Sequence, residues 1–335
     1  MTIKDIAREA GYAVGTVSRV LNNHPDVSEK ARTRILAVVE KNGFVLNTNA
    51  KNLKQQVSSN ILVLVKGTHN ELFAALVEEL QRLTAGSSYT ILTEYFEEDE
   101  NEVTRAIALC AEKKPLGILF LGGYSENFMQ DFSRIHVPAV LVTAPGAALG
   151  FENLSSVCTD DRAAAAAAMQ YLLDHGHRHI AMIGGRPERS DVTSLRYAGG
   201  RDAFCASGLP PENLVEYGEA RYSYREGYEA MCRVLQEAPQ VTAVFAVADV
   251  VAIGAMRAIR DHGTEPGQRI SLMGFDGLEI GSYLTPRLAT IRQPVPELAA
   301  HALAILRESI EEKRPARHEI VPFELILVES VGCCP

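Results

Sequence analysis

Nothing in the 335-residue sequence approaches the ~20 consecutive apolar residues of a membrane-spanning helix, so no transmembrane segment is expected. The N-terminus lacks a secretory leader as well. Asp5, Arg8 and Glu9 stand where an apolar h-region would be, and a cytoplasmic location is expected. Six cysteines (Cys110, Cys158, Cys205, Cys232, Cys333 and Cys334) form no CxxC pair, so neither a disulfide framework nor a zinc site is indicated. Adjacent Cys333 and Cys334 lie at the extreme C-terminus, where an unstructured tail is expected. No GxGxxG follows a strand-like run, and neither a P-loop nor GxSxG occurs, which leaves catalysis without a motif. Neither an enzymatic activity nor a cofactor nor a metal is therefore expected. No heptad pattern follows Val331 to build a coiled-coil assembly arm.

What is present is the composition of a soluble globular protein, 47% apolar and 22% charged. Its length predicts more than one domain. The net charge of −9 is unevenly spread: residues 1–60 hold nine Lys/Arg against five Asp/Glu, a formal +4, so the remainder carries −13. A small basic head on an acidic body suits local phosphate binding by the head.

The head has its own periodicity. Ile3, Ile6, Ala7 and Ala10 make one apolar stripe at helical spacing, Gly11-Tyr12 breaks it, and Val17, Val20 and Leu21 make a second. Two short helices joined by a Gly-containing turn form a helix-turn-helix, whose second helix can enter a DNA major groove. The pattern by itself also fits an ordinary helical hairpin with a polar outer face. Gly15, Thr16, Ser18, Arg19 and Asn22 lie on the solvent face of the second helix, where they can meet phosphates and base edges. Ser28 can cap a third helix over 29–42, which stops at Asn42-Gly43. In the polar stretch 44–60, Asn47 can cap a short helix containing Ala50, Lys51 and Leu53; a plain linker is the other reading.

From Ile61 the chain alternates apolar runs with helical patterns: ILVLV (61–65), GILFLG (117–122), AVLVT (139–143), IAMIG (180–184), AVFAV (243–247) and ISLMGF (270–275). YTILTEYF adds a strand, and helices are expected over 72–83, 103–113, 163–173, 195–207, 227–236 and 250–261, with one more between the strands at 117 and 139. Such alternation predicts doubly wound parallel sheets, and the strand number predicts two similar subdomains. Ligands in such folds bind beyond the carboxyl ends of the strands, which points to Asp249 and Asp276.

Nearly the whole chain resembles the lactose repressor (LacI/GalR) family. The resemblance is carried by IKDIAREAG and TVSRVLN in the head, VSEKAR at the third helix, then GHRHIAMIGG, RYAGGRDAF, REGYEAM, AIGAMRAI, MGFDG and PRLATIRQP in family order. It implies an α/β protein in which a three-helix helix-turn-helix head precedes a two-lobed, periplasmic-binding-protein-like core. The expected division is a head over 1–43, a hinge helix and linker over 44–59, and an effector-binding and dimerisation core over 60–335. Within the core the N-subdomain takes about 60–159 and 291–318, the C-subdomain about 160–290 and 319–335.

By the same resemblance, Val14 and Gly15 open the recognition helix, and Thr16, Ser18, Arg19 and Asn22 fall on phosphate and base contacts, with Thr2 on a phosphate contact. Chemically, Arg19 can bond guanine O6/N7, Val14 can offer apolar contact to a thymine methyl, and Gly15 reads nothing directly. Ala13 departs from the Ser that commonly caps this helix, a loss of ~1 kcal/mol. Leu53, with Ala50 beside it, matches a hinge leucine that wedges into the minor groove, whereas Leu46 and Lys51 replace the usual Pro and Arg.

In the core, Arg196, Asp249 and Asp276 match positions that bond effector hydroxyls, and Tyr222 and Phe73 match aromatics that cover the effector. Carboxylates and a guanidinium pair with vicinal hydroxyls, and ring faces cover the C–H side of a pyranose. N-capping of the following helices is the alternative for Asp249 and Asp276. Ala248 stands where many relatives carry Asn. Asp160-Asp161 suits a helix cap better than the pocket edge it matches. Arg186 and Arg189 would suit an acidic or phosphorylated effector; surface exposure is the simpler reading. The His175, His177 and His179 cluster has no helical metal-ligand spacing and reads as structural.

The expectation is a sequence-specific transcriptional regulator, most simply a repressor, acting as a homodimer or larger assembly on a pseudopalindromic operator, with no membrane partner. A small effector, expected to be a carbohydrate, would sit between the subdomains and splay the hinges. A stand-alone sugar receptor with the same core is the alternative; the basic helical head where a leader would be argues against it.

Overall fold

The structure, a computed structural model, describes residues 2–21, 24, 26–42, 59–68, 70–185, 191–217 and 221–334. It consists of two compact units, Met1–Ser58 and Ser59–Pro335. Among the described residues, no helix is long and apolar enough to cross a membrane.

The first unit has three helices, α1 (Ile3–Ala10), α2 (Val14–Leu21) and α3 (Glu29–Lys41). The stripes read from the sequence meet at one point: Ile6, Ala7, Ala10, Val17, Val20 and Ile35 are buried together. Gly11 takes φ 75°, a left-handed conformation that costs a residue without Cβ little, and its N–H closes α1 on Ala7 O at 3.0 Å. Ser28 Oγ accepts from Ala31 N as the cap of α3. So small a core gains from a side-chain clasp, in which Lys41 and Asn42 both donate to Glu9.

The second unit is α/β throughout. Its elements run β1 (Asn60–Lys66), α4 (Glu71–Thr84), β2 (Thr90–Phe96), α5 (Glu102–Lys113), β3 (Gly117–Leu121), α6 (Ser125–Asp131), β4 (Ala139–Val142), β5 (Leu154–Thr159), α7 (Asp161–Asp174), β6 (Ile180–Ile183) and α8 (Asp191–Ala206). There follow β7 (Leu214–Tyr217), α9 (Tyr224–Glu237), β8 (Ala243–Ala246), α10 (Asp249–Asp261), β9 (Ser271–Asp276), β10 (Ala289–Arg292), α11 (Val295–Glu312), β11 (His318–Val321) and β12 (Glu324–Ile326). They build two six-stranded sheets, ordered β11-β5-β4-β3-β1-β2 and β12-β10-β9-β8-β6-β7. Every pairing is parallel except β10 with β12. Six consecutive residues of β1, Ile61 to Lys66, are buried, as a strand covered on both faces must be. The chain passes between the sheets after β5, after β10 and after β11, so three short connections join the lobes.

Several elements escape a reading by apolar period. β5, LSSVCT, is fully buried although half of its residues are hydroxylic; Ser155 and Ser156 hydrogen-bond the chain around Arg317 and His318. β7, β10, β11 and β12 have three or four residues each, too short for a period. α11, the longest helix of the unit, packs Leu298, Ala302, Ile305 and Leu306 against Leu72, Leu76 and Leu80 of α4.

The C-terminal lobe contains two close helix pairs: in one, a Cβ on Gly199 of α8 would lie 2.0 Å from Arg162 O of α7. A Cβ on Gly254 would lie 2.0 Å from Tyr224 O, and one on Gly227 would lie 2.3 Å from Val251 O. α9 and α10 thus touch backbone to backbone. Gly254→Ala gains up to ~1 kcal/mol of helix propensity but forces the helices apart against a carbonyl that no rotamer change can move. A net loss of about 1–3 kcal/mol, read as a lower urea midpoint, is expected.

Candidate functional site

In the head, α2 exposes Val14, Gly15 and Arg19, while Thr16 and Ser18 are half-buried and Val17 and Val20 face the core. Val14 is 41% exposed. Ala13 supplies no side-chain cap; its carbonyl accepts from Thr16 N and Val17 N. Thr2 starts α1, where its N–H and hydroxyl both donate to Asp5 Oδ2, at 2.9 and 2.8 Å. Those bonds hold the Asp5 carboxyl below its usual range. Asn22, Ala50 and Leu53 lie outside the described residues, as do Arg186 and Arg189.

The second unit contains a cavity of about 370 Å³ at the carboxyl ends of strands from both sheets. That is where doubly wound folds place ligands, and the size lies within the ~300–1,000 Å³ of small-ligand pockets. One wall comes from Lys66, Phe73, Gly122, Tyr124 and Thr143, the other from Val192, Arg196, Tyr222, Asp276 and Gln293.

Two non-glycine residues with positive φ belong to this lining: Thr143 (φ 70°) just after β4, and Asp276 (φ 121°) at the end of β9. Such backbone strain persists only where the surroundings over-determine it, and it concentrates at binding sites. Arg196, buried in α8, donates from Nε to Asp161 Oδ1 at 2.7 Å and from Nη1 to Val247 O at 2.6 Å. The guanidinium lies over the Phe275 ring, 3.6 Å from its centroid, and 3.7 Å from Asp276 Oδ1. A planar cation fixed on three sides is a rigid donor rather than a mobile one. Burial, opposed by Arg196, pushes the Asp276 carboxyl up to about 6. Gln293 Nε2 donates to Asp276 Oδ1 at 2.9 Å while its Oε1 accepts from Thr159, so the carboxylate is braced from two interlobe connections. Tyr222 OH pairs with Thr193 Oγ1 at 2.7 Å, and burial raises its phenol.

The opposite wall is braced by a buried ion pair. Lys66 Nζ donates to Glu102 Oε2 and to Glu100 O, each at 2.7 Å, and lies 4.2 Å from the centroid of the Tyr124 ring. Glu102 Oε1 accepts from Tyr124 N at 2.6 Å. The cleft thus combines hydrogen-bonding groups in fixed positions with three aromatic side chains, Phe73, Tyr124 and Tyr222, a composition suited to a polyhydroxylated ligand.

Residues 2–47 match the bacterial regulatory proteins of the lacI family, and residues 169–331 match the periplasmic binding protein-like domain. The HTH-type transcriptional regulator MalR of Clostridium butyricum is 33% identical over 338 aligned residues, covering 98% of this chain and 99% of the relative. The chain belongs to the LacI family. It is a DNA-binding transcriptional regulator. The fold is also that of the lac repressor dimer bound to operator and the anti-inducer ONPF, at a TM-score of 0.82 with 22% identity over 99% of both chains. A LacI-family regulator, CcpA of Weissella paramesenteroides with bound sucrose, superposes at a TM-score of 0.69 with 25% identity, over 82% of this chain and 99% of the other.

Four of the five core residues singled out from the sequence of this LacI-family regulator, Phe73, Arg196, Tyr222 and Asp276, line one cavity. Asp249 does not. It is fully buried beneath the cavity floor residue Asp276, its Oδ1 accepting from Thr290 Oγ1 at 2.6 Å and its Oδ2 from Leu278 N at 2.7 Å. It is not among the cavity's lining residues, and it is not the helix cap either, since Ala248 holds the N-cap position of α10. Gly274 admits the carboxylate, since a Cβ there would lie 2.2 Å from Asp249 Oδ1. Asp249 is a positioning residue for the turn that presents Asp276. Asp276 ends a strand and precedes no α-helix, so it caps nothing.

Asp160 caps α7 through Ala163 N, whereas Asp161 turns inward to Arg196. Lys66, Thr143 and Gln293 also line the cleft, and the sequence marks them only faintly, through a lysine that closes an apolar strand. His175 Nδ1 bonds Tyr171 O at the end of α7, and buried His177 joins Thr242 to Gly332 O, so both rings hold the chain together.

Proposed function

We propose that this LacI-family regulator is a cytoplasmic, non-catalytic homodimeric repressor whose operator affinity is set by a carbohydrate held in the cavity between the two sheets. The observation that carries the reading is the strained, braced Asp276 beside the rigid Arg196 guanidinium in an aromatic-lined cleft. Phe73, Arg196, Tyr222 and Asp276 contact the effector; Asp249 supports Asp276 from below. Residues 1–43 read the operator through Val14, Gly15, Thr16, Ser18, Arg19 and Asn22, with Thr2 on a phosphate. Residues 44–59, including Ala50 and Leu53, act at the minor groove, and residues 60–335 bind effector and dimerise. The subdomain limits are about 60–159 with 291–318, and about 160–290 with 319–335. Sucrose in the Weissella relative supports a small ligand of sugar type.

The coupling is a population shift. A ligand that bonds both walls favours one lobe geometry, and the lobes are joined by three short connections, so closure re-aims the chain that leads to the head. The test is fluorescence anisotropy of the full chain on a pseudopalindromic duplex selected from random DNA, titrated with neutral sugars. A sugar that binds and changes operator affinity is expected; a sugar that binds the core yet leaves operator affinity unmoved overturns the coupling. Asp276 adds a pH dependence. Its carboxyl, raised to about 6, is an acceptor above that pH and protonated below it. Sugar affinity is expected to fall as pH drops from 7 to 5, and Asp276→Asn is expected to flatten that slope while losing a charge-assisted hydrogen bond of about 1.5–3 kcal/mol.

A further inference from the structure

Next to the effector cavity lies a second, more open one of about 670 Å³, and the two share Thr68, Asn70, Tyr222 and Ser223 in their linings. The outer cavity adds Tyr95 from β2 and Tyr224 from the start of α9, which are 46% and 43% exposed. Exposed tyrosines on opposite lobes, flanking a concavity continuous with a ligand site, offer ring faces at little entropic cost, since each has few rotatable bonds. Glu71, from the N-terminal lobe, accepts a hydrogen bond from Tyr224 OH, so the two lobes already touch at this rim.

The charges of the described residues disfavour one class of ligand. Among the described residues, the two linings together contain Glu71, Glu97, Glu98, Asp99, Glu226 and Asp276 against Lys66, Arg196, Arg221 and Arg225. Lys66 is committed to Glu102 and Arg196 to Asp161, both partners lying outside the lining. A phosphate or carboxylate would enter a field of unbalanced negative charge.

We propose that the two cavities form one extended site and that the effector is a neutral oligosaccharide of at least two rings. The inner ring lies among Arg196, Asp276 and Phe73, and the outer ring between Tyr95 and Tyr224. This rests on the carbohydrate reading above and specifies it in length and charge.

The test is isothermal titration calorimetry of the full chain with glucose, maltose, cellobiose, sucrose, maltotriose and glucose 6-phosphate. At least one disaccharide is expected to bind about tenfold tighter than glucose, with glucose 6-phosphate no tighter than glucose. Tyr95→Ala and Tyr224→Ala are expected to bring that ratio toward one. Tyr224→Phe keeps the ring face, loses only the bond to Glu71, and retains the ratio. Unchanged far-ultraviolet circular dichroism and melting temperature establish that each variant is folded. Equal affinity for mono- and disaccharides, tighter binding of the phosphate, or a ratio untouched by both alanine variants overturns the extended neutral site while leaving a sugar site standing. Absence of binding by every saccharide, whatever its length, overturns the carbohydrate reading itself and this proposal with it.

Discussion

Arg196→Met is expected to lower the stability of the second unit by about 3–5 kcal/mol, the cost of removing one partner from a buried ion pair. The guanidinium bonds Asp161 at 2.7 Å, faces Asp276 at 3.7 Å, and lies over Phe275. Methionine preserves much of the packing against Phe275 and none of the charge. Asp161, buried and with Oδ2 already without a partner among the described residues, would be left facing Asp276 with no cation between them. The pH dependence separates this cause from simple mispacking. Without Arg196, both carboxyls are raised further above their ordinary value of 3.8. The folded state then binds more protons than the unfolded one between that value and the raised one, so stability rises as pH falls through the interval. Urea midpoints should therefore show the deficit largest at pH 7 and partly recovered at pH 5. Replacing Asp161 by Leu in the same chain should recover part of it at pH 7, because the stranded charge is gone. A deficit constant from pH 7 to 5 would show that lost packing is the cause. Sugar binding is expected to be lost in both variants.

The elements legible in the sequence are those with a sustained pattern. β1 declares itself as an unbroken apolar run, and the head as two stripes separated by Gly11, because burial on one or both faces dictates those periods. β5 does not, because buried Ser155 and Ser156 are satisfied by hydrogen bonds to a segment about 160 residues away, which no local window contains. The site divides in the same way. Arg196, Tyr222, Phe73 and Asp276 are reached through resemblance, and the strand-end rule points to Asp276 independently. Asp249 obeys that rule equally and still misses the cavity: Gly274 on the neighbouring strand opens a slot that draws its carboxylate under the floor. Thr143 carries its significance in a backbone angle, and Gln293 in bridging two connections, neither of which is a property of residue type.

Arg19→Ala is expected to weaken operator binding by about 1–3 kcal/mol per head, the range for one bidentate base contact, compounding over the two heads of a dimer. The expectation follows from what else α2 can offer. Gly15 has no side chain, Val14 offers only an apolar surface, and Thr16 and Ser18 are half-buried. Thr2 has its hydroxyl engaged with Asp5 and contributes orientation more than discrimination. Among the described residues of this face, a long, exposed guanidinium is left as the group with the reach and the fork geometry for a guanine edge. Salt titration distinguishes base reading from phosphate binding. If Arg19 neutralises a phosphate, its removal flattens the slope of log affinity against log salt by about one per head and weakens all sequences alike. Base reading leaves the slope nearly unchanged and removes preference at one position in each half-site. Anisotropy measured on the selected operator and on single-position variants, at two salt concentrations, reads both quantities. Equal losses on every sequence together with a flatter slope would reassign Arg19 to the backbone and place operator choice in Val14 and the shape of the DNA.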